Sequence, residues 1–94
     1  MSFSGKVVLV TGAQEGIGRS MAIAFAEKGA HVAINWLDDK NKADQVADIT
    51  RTLGVQTELI QGDVSKVNDA RRIVNTVFKA FGSIDILINN AGVF

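Results

Sequence analysis

The sequence predicts an α/β fold: a partial, doubly wound parallel sheet built as βαβαβαβ, with strand order 3-2-1-4. Three observations carry this expectation. Four short apolar runs alternate with three stretches of helical periodicity. The runs begin roughly every 25 residues, which is room for a helical crossover between parallel strands. The helical stretches stop at Gly29, Gly54 and Gly82, residues suited to left-handed geometry just past a helix end.

The elements follow in order. Lys6-Val7-Val8-Leu9-Val10-Thr11 is a continuous β-branched and apolar run, as expected of a strand buried on both faces. A glycine-rich turn leads into a helix from Ile17 to Lys28. Its Met21, Ala22, Ile23, Ala24, Phe25 and Ala26 make it apolar almost all round, which predicts a largely buried helix. Val32 to Trp36 is a second strand. Asp38 and Asp39 suit the start of a helix whose apolar face is Ala43, Val46, Ala47, Thr50 and Leu53. Val55 to Gln61 reads as a third strand. Ser65 is the expected N-cap of a helix carrying Val67, Ala70, Ile73, Val74, Val77, Phe78 and Phe81. Ile84 to Ile88 is a fourth strand, apolar as if buried on both faces, and Asn89-Asn90-Ala91-Gly92-Val93-Phe94 ends the chain. Right-handed crossovers place the first two helices on one face of the sheet and the third on the other.

Composition narrows the class of function. Ninety-four residues make one small domain. Ten basic side chains balance ten acidic ones, which argues against a phosphate-backbone footprint and against a polybasic membrane patch. No apolar run approaches the roughly 20 residues that span a bilayer, and the N-terminal run is too short and poorly flanked for a signal peptide. There is no cysteine, so neither a disulfide framework nor a thiolate metal site can form. The expectation is a soluble, cytoplasmic protein with no nucleic acid, membrane or metal partner.

The turn after the first strand carries the chemistry. Thr11-Gly12-Ala13-Gln14-Glu15-Gly16-Ile17-Gly18 sits directly after a buried strand and opens a helix, the context in which a glycine-rich turn holds a dinucleotide. Gly12 permits the sharp exit from the strand. Gly16 lets a pyrophosphate approach the backbone with no Cβ in the way, and Gly18 allows close packing of helix on strand. The ligand's charge then meets unpaired N–H groups at the helix N-terminus. A phosphate-binding P-loop is excluded, because no Gly-Lys-Ser/Thr follows. Together these features describe a Rossmann-type half-sheet.

With Asp63-Val64 and Asn89-Asn90-Ala91-Gly92 at their observed distances from the turn, the whole chain resembles the N-terminal half of a short-chain dehydrogenase/reductase. The resemblance implies hydride transfer between NAD(H) or NADP(H) and a small-molecule alcohol or carbonyl. It implies that Asp63 accepts from the adenine amino group and that Val64 contacts the adenine through its backbone. It also implies that Asn90, Ala91 and Gly92 line the ribose side and tie the fourth strand to its neighbours. The candidate cofactor-binding residues are thus Gly12, Gln14, Glu15, Gly16, Ile17, Gly18, Asp38, Asp63, Val64, Asn90, Ala91 and Gly92.

The end of the second strand bears on the choice of cofactor. A carboxylate there hydrogen-bonds a ribose 2′-OH, whereas a 2′-phosphate wants arginine or lysine. Asp38 stands near the expected distance from the glycines, no basic residue occupies Trp36 or Leu37, and Glu15 would repel a phosphate. NAD is therefore the expected cofactor. NADP is the alternative, through Lys40 or Lys42, and helix capping remains a second use for Asp38 and Asp39. His31 reads as a solvated surface histidine, and Arg71 and Arg72 as a solvated helix face.

The chain contains no tyrosine. The resembled family works through a serine, a Tyr-x-x-x-Lys pair and a further asparagine, all beyond the Asn-Asn-Ala-Gly segment. The lysine cation lowers the tyrosine pKa so that it can exchange the proton. No catalytic residue is therefore expected within these 94 residues, and alone they are expected to be inactive. The chain reads as the cofactor-binding part of a longer oxidoreductase. The alternative is a non-catalytic nucleotide-binding or dimerising fragment. An apolar fourth strand left unpaired would template association, so a homo-oligomer is expected.

Overall fold

Val7, Val8, Leu9 and Val10 form β1 (Val7–Val10), buried at every position. The computed structural model describes residues 2–90, so the expectations attached to Ala91 and Gly92 lie outside the described residues. β1 pairs in parallel with β2 (His31–Trp36) on one edge and with β4 (Ile86–Ile88) on the other. β2 pairs in parallel with β3 (Thr57–Gln61), giving the order β3-β2-β1-β4. This is the α/β topology expected from the sequence. The unbroken apolar character of β1 follows from its place, since both of its edges are paired and both of its faces are covered.

Alternation along the strands separates two cores. Val8, Val10, Val32 and Ile34 pack with Ala22 and Ala26 of α1 (Gly16–Glu27) and Val46 of α2 (Lys40–Thr52). On the opposite face, Val7, Leu9, Ala33 and Ile60 pack with Ile73 and Val77 of α3 (Val67–Phe81). Two helices therefore cover one face and the third covers the other, as right-handed crossovers require. Asp85 aligns β4: its Oδ2 accepts from the Val7 amide at 2.8 Å and its own amide donates to the Val7 carbonyl at 2.9 Å.

Several local expectations are corrected. α1 is not largely buried; burial is confined to the stripe Gly18, Ala22 and Ala26, with Met21 and Phe25 half-buried and Ile17 73% exposed. Small side chains bring that one stripe close to the sheet, and nothing among the described residues covers the other side. β3 starts at Thr57 rather than Val55 and β4 at Ile86 rather than Ile84, where their ladders with β2 and β1 begin. Nor is β4 buried on both faces. Ile86 and Ile88 pack against the first core, but Leu87 is 57% exposed because α3 seats on Val7, Leu9, Ala33 and Ile60 instead.

Ser65 does not cap α3. Lys66 holds the N-cap position without a side-chain bond, while the Ser65 hydroxyl donates to Asp63 Oδ1 at 2.6 Å and its amide donates to the same oxygen at 2.9 Å. A local turn has outcompeted the cap. Asp39 does cap α2, accepting from the Lys42 amide at 3.0 Å. Gly82 closes α3 in the left-handed region at φ 82°. His31 is half-buried rather than solvated: its Nδ1 accepts from the Gln56 amide at 3.0 Å and its ring stacks on Phe81.

Candidate dinucleotide site

The parallel strands deliver their carboxyl ends to one edge of the sheet, beside the point where strand order reverses between β2-β1 and β4. In an open α/β sheet that crevice is where a ligand is held. Each of three strands contributes a cluster of residues there.

The exit from β1 is the glycine turn. Gly12 and Gly16 take φ values of 60° and 63°, a region costly for residues with a Cβ. A Cβ at Gly16 would meet nothing within 4 Å, so the space above it is open. At Gly18 a Cβ would strike the Gly12 carbonyl oxygen and lie 2.7 Å from Asn90 Nδ2. Gly18 therefore closes the turn on itself and on the β4 exit as much as on the strand behind it. Glu15 occupies the N-cap of α1 in extended conformation and makes no capping bond, which leaves the first-turn amides without a side-chain partner.

Asn35, near the end of β2, organises this turn. Its Oδ1 accepts from the Gly12 amide at 3.1 Å, and its Nδ2 donates to the carbonyls of Ile60 and Gly62, each at 3.1 Å. The Ala13 amide donates to the Asn35 carbonyl at 2.8 Å. One buried amide thus locks the exits of β1, β2 and β3 together. Sequence reasoning passed over Asn35; the available signal was a lone amide inside an otherwise apolar strand.

The exit from β2 is Leu37 and Asp38. Gln14 reaches over from the glycine turn, its Oε1 accepting from the amides of Leu37 and Asp38 and its Nε2 donating to Asp38 Oδ1. Glu15 pairs with Lys42 at 2.8 Å and Lys40 pairs with Asp44 at 2.8 Å. Both lysines that could reach a 2′-phosphate are therefore engaged. The Glu15 bond and charge push the Lys42 ammonium above its ordinary value, with Asp39 and Asp38 adding to the effect.

The exit from β3 is Gly62, Asp63 and Val64. The Asp63 amide donates to Asp69 Oδ2 at 2.9 Å, and Arg72 donates to the Gln61 carbonyl at 2.7 Å. Arg72 is exposed, as a solvated helix face requires, and from that face it also ties α3 to this exit. The Ser65 hydroxyl, then its amide, and the nearby Lys66 charge hold the Asp63 carboxyl below its usual range. Val64 packs against the second core, which leaves its backbone at the rim.

Gly12, Gln14 and Glu15 of the first exit, Asn35, Leu37 and Asp38 of the second, and Gly62, Asp63 and Val64 of the third line a cavity of about 300 Å³. Ile17 lies outside this cavity, exposed on α1. Asn90 approaches from β4: its amide donates to Thr11 Oγ1 at 2.9 Å and its Nδ2 donates to the Gly12 carbonyl at 3.2 Å. A depression of about 430 Å³ along the outside of α3, lined by Ala70, Arg71, Val74 and Asn75, gathers only one charged group. Among the described residues no cluster of His, Cys, Asp or Glu could hold a metal ion, and no helix is long and apolar enough to cross a membrane.

Known proteins share both the sequence and this architecture. The short chain dehydrogenase family matches residues 6–94. An uncharacterized oxidoreductase of Thermotoga maritima is 46% identical over 93 residues, covering 99% of this chain and 36% of the relative. A 3-oxoacyl-(acyl-carrier-protein) reductase of Staphylococcus epidermidis is 43% identical over 88 residues, covering 94% of this chain and 36% of the relative. This chain thus spans about a third of the length of those relatives. A short-chain dehydrogenase/reductase structure from Serratia marcescens superposes with a TM-score of 0.94 at 34% identity, covering 100% of this chain and 38% of the other. A hydroxysteroid dehydrogenase structure from Escherichia coli gives 0.89 at 33% identity, covering 98% and 39%. With nearly its whole length matched, the chain belongs to the short-chain dehydrogenase/reductase family.

Proposed function

We propose that this chain holds a nicotinamide dinucleotide, NAD in preference to NADP, as the cofactor-binding part of an oxidoreductase acting on a small-molecule alcohol or carbonyl. The observation that carries the reading is the cavity at the strand ends, which Asp38 and Asp63 line together with Gly12, Gln14 and Glu15 of the glycine turn. The residues present fit such a cofactor. Asp38 offers a carboxylate to a ribose 2′-OH, Asp63 an acceptor to the adenine amino group, and the open backbone at Gly16 with the uncapped start of α1 a seat for pyrophosphate. When bound, the nicotinamide supplies the hydride chemistry. What these residues do is bind and orient the adenosine and pyrophosphate, with Asn90 bracing the turn from β4.

Because no tyrosine stands in these 94 residues, the proton-exchanging group implied by the family is not among them. That observation favours a second reading of these residues taken alone, as a nucleotide-binding module without turnover. We further infer a cytoplasmic setting and assembly with other copies through the β4 side, where Leu87 is exposed.

Trp36, the sole tryptophan, ends β2 next to Leu37 and Asp38 and reports on the site. Titrating NAD⁺ and NADP⁺ against its fluorescence should give tighter binding of NAD⁺, and a preference for NADP⁺ would overturn the cofactor reading. NADH with a panel of carbonyls should show no oxidation by these residues alone; turnover there would sink the second reading.

A further inference from the structure

Gln14 sits in the glycine turn but behaves unlike its neighbours. It is 7% exposed, whereas Glu15 and Ile17 are open to solvent. Every polar atom of its amide that makes a bond points at the β2 exit. Oε1 accepts from the Leu37 amide at 2.8 Å and the Asp38 amide at 3.2 Å, and Nε2 donates to Asp38 Oδ1 at 2.8 Å. The orientation of the amide is fixed by these partners, since backbone N–H groups can only donate and an ionised carboxylate can only accept.

Little else holds that segment. Leu37 is 48% exposed and Asp38 is exposed, so apolar packing does not place them. The other tie among the described residues is Gln61, whose Nε2 donates to the Leu37 carbonyl at 2.9 Å. Asp39 is committed to capping α2. The Asp38 carboxylate is therefore oriented by Gln14: Oδ1 is occupied by an N–H donor, and Oδ2 has no partner among the described residues.

We propose that Gln14 is a positioning residue for cofactor selection, holding the Asp38 carboxylate so that one oxygen faces the cavity as an acceptor for vicinal ribose hydroxyls and as a fixed negative charge against a 2′-phosphate. This rests on the NAD reading above and adds to it a residue that acts in the selection through Asp38. A primary amide is required at position 14. Alanine offers neither function, asparagine is one methylene too short for the same reach, and a carboxylate keeps the acceptor but sets an oxygen against Asp38 Oδ1.

The test measures affinities for NAD⁺, NADP⁺, 5′-AMP and adenosine 2′,5′-bisphosphate by calorimetry, in the wild-type chain and in Gln14→Ala and Gln14→Glu. At about pH 7.5 both variants should bind NAD⁺ and 5′-AMP about tenfold more weakly, with the 2′-phosphorylated ligands unchanged or tighter, which is the loss of one well-aimed charge-assisted bond. Gln14→Glu should recover as the pH falls to about 5, because one proton shared by the introduced carboxyl and Asp38 restores an O–H···O bond. The charged groups near that pair, Glu15, Lys42 and Asp39, are present in wild type too, so the recovery is read against the wild-type profile. In an Asp38→Ala background Gln14→Ala should have no further effect on the ratio. If wild type shows no preference for NAD⁺, the cofactor reading and this proposal fall together. If wild type prefers NAD⁺ and the variants keep its ratio at every pH, the proposal about Gln14 alone falls. Should Gln14→Ala not fold, the pH profile of Gln14→Glu decides.

Discussion

The buried side chain of Asn35 accepts from the Gly12 amide at 3.1 Å, although β2 and the glycine turn are separate in the chain. The same side chain donates to the Ile60 and Gly62 carbonyls, so one amide satisfies groups on three strand ends. Removing a buried partner exposes the cost of every bond it made, about 1–3 kcal/mol for each group left unsatisfied. Asn35→Ala is expected to lower the unfolding free energy by about 2–4 kcal/mol and to loosen the turn that seats the pyrophosphate. Denaturant unfolding checks the first effect and calorimetry with 5′-ADP the second. Wild-type stability in Asn35→Ala would show that water replaces the amide at little cost.

Asp63 is held ionised by Ser65, and the sign of its pH dependence follows. A folded-state value below the ordinary 3.8 contributes stability that is complete above that value and is lost only as the pH falls through the lower one. Between about pH 8 and pH 5 its contribution to 5′-AMP affinity should be flat. Asp63→Ala should weaken 5′-AMP by about tenfold or more, the worth of a hydrogen bond to a charged acceptor. A fall in wild-type affinity within that range, abolished in Asp63→Ala, would contradict the assignment.

Glu15 and Lys42 form an exposed pair at 2.8 Å on the rim of the same cavity. With the Lys42 value raised, the pair is complete below the ordinary 10.5 and is lost only as the pH climbs through the raised one. Its influence on cofactor choice should therefore be constant across neutral pH. Glu15→Gln releases Lys42 and removes a repelling charge, so NADP⁺ affinity should rise about threefold at low salt, and less at about 0.5 M salt where the charges are screened. NAD⁺ affinity should change by less than about twofold. An equal gain for both cofactors would mean the pair does not act through the 2′ position.

What was legible in the sequence and what was not divides along a physical line. β1 was legible because its apolar run records burial on both faces, and the glycine turn because its backbone needs Gly12 and Gly16 at positive φ. α3 was legible because Ile73 and Val77 keep helical spacing on one stripe. Gln14 with Asp38, Asn35 with Gly12, and Arg72 with Gln61 were not, because each pair is made only when the sheet assembles. No local period announces such a bond. Ser65 misled for a related reason: a hydroxyl that can accept at a cap can equally donate to a carboxylate two residues back, and Asp63 was there. The apolar run of β4 predicts burial that Leu87 does not have among the described residues.

Gly16 and Gly18 stand two residues apart and should fail in different ways. At Gly18 a new Cβ would strike the Gly12 carbonyl and press on Asn90 Nδ2 at 2.7 Å. Neither neighbour retreats easily, because Gly12 is tied to Asn35 and the Asn90 amide is tied to Thr11 Oγ1. Gly18→Ala is therefore an overpacking substitution, expected to cost about 1–3 kcal/mol of stability or more. At Gly16 a Cβ meets nothing within 4 Å, so the penalty is only that of φ 63°, about 1–2 kcal/mol for a residue with a side chain. That Cβ would instead stand in the space assigned to the pyrophosphate. Gly16→Ala should remain folded yet bind NAD⁺ and 5′-ADP at least about tenfold more weakly, with adenosine affinity nearly unchanged because adenosine carries no phosphate. Calorimetry with adenosine, 5′-ADP and NAD⁺ on the folded variant separates the two cases. Unaltered 5′-ADP affinity would place the phosphates elsewhere than over the start of α1, whatever the stability of the variant.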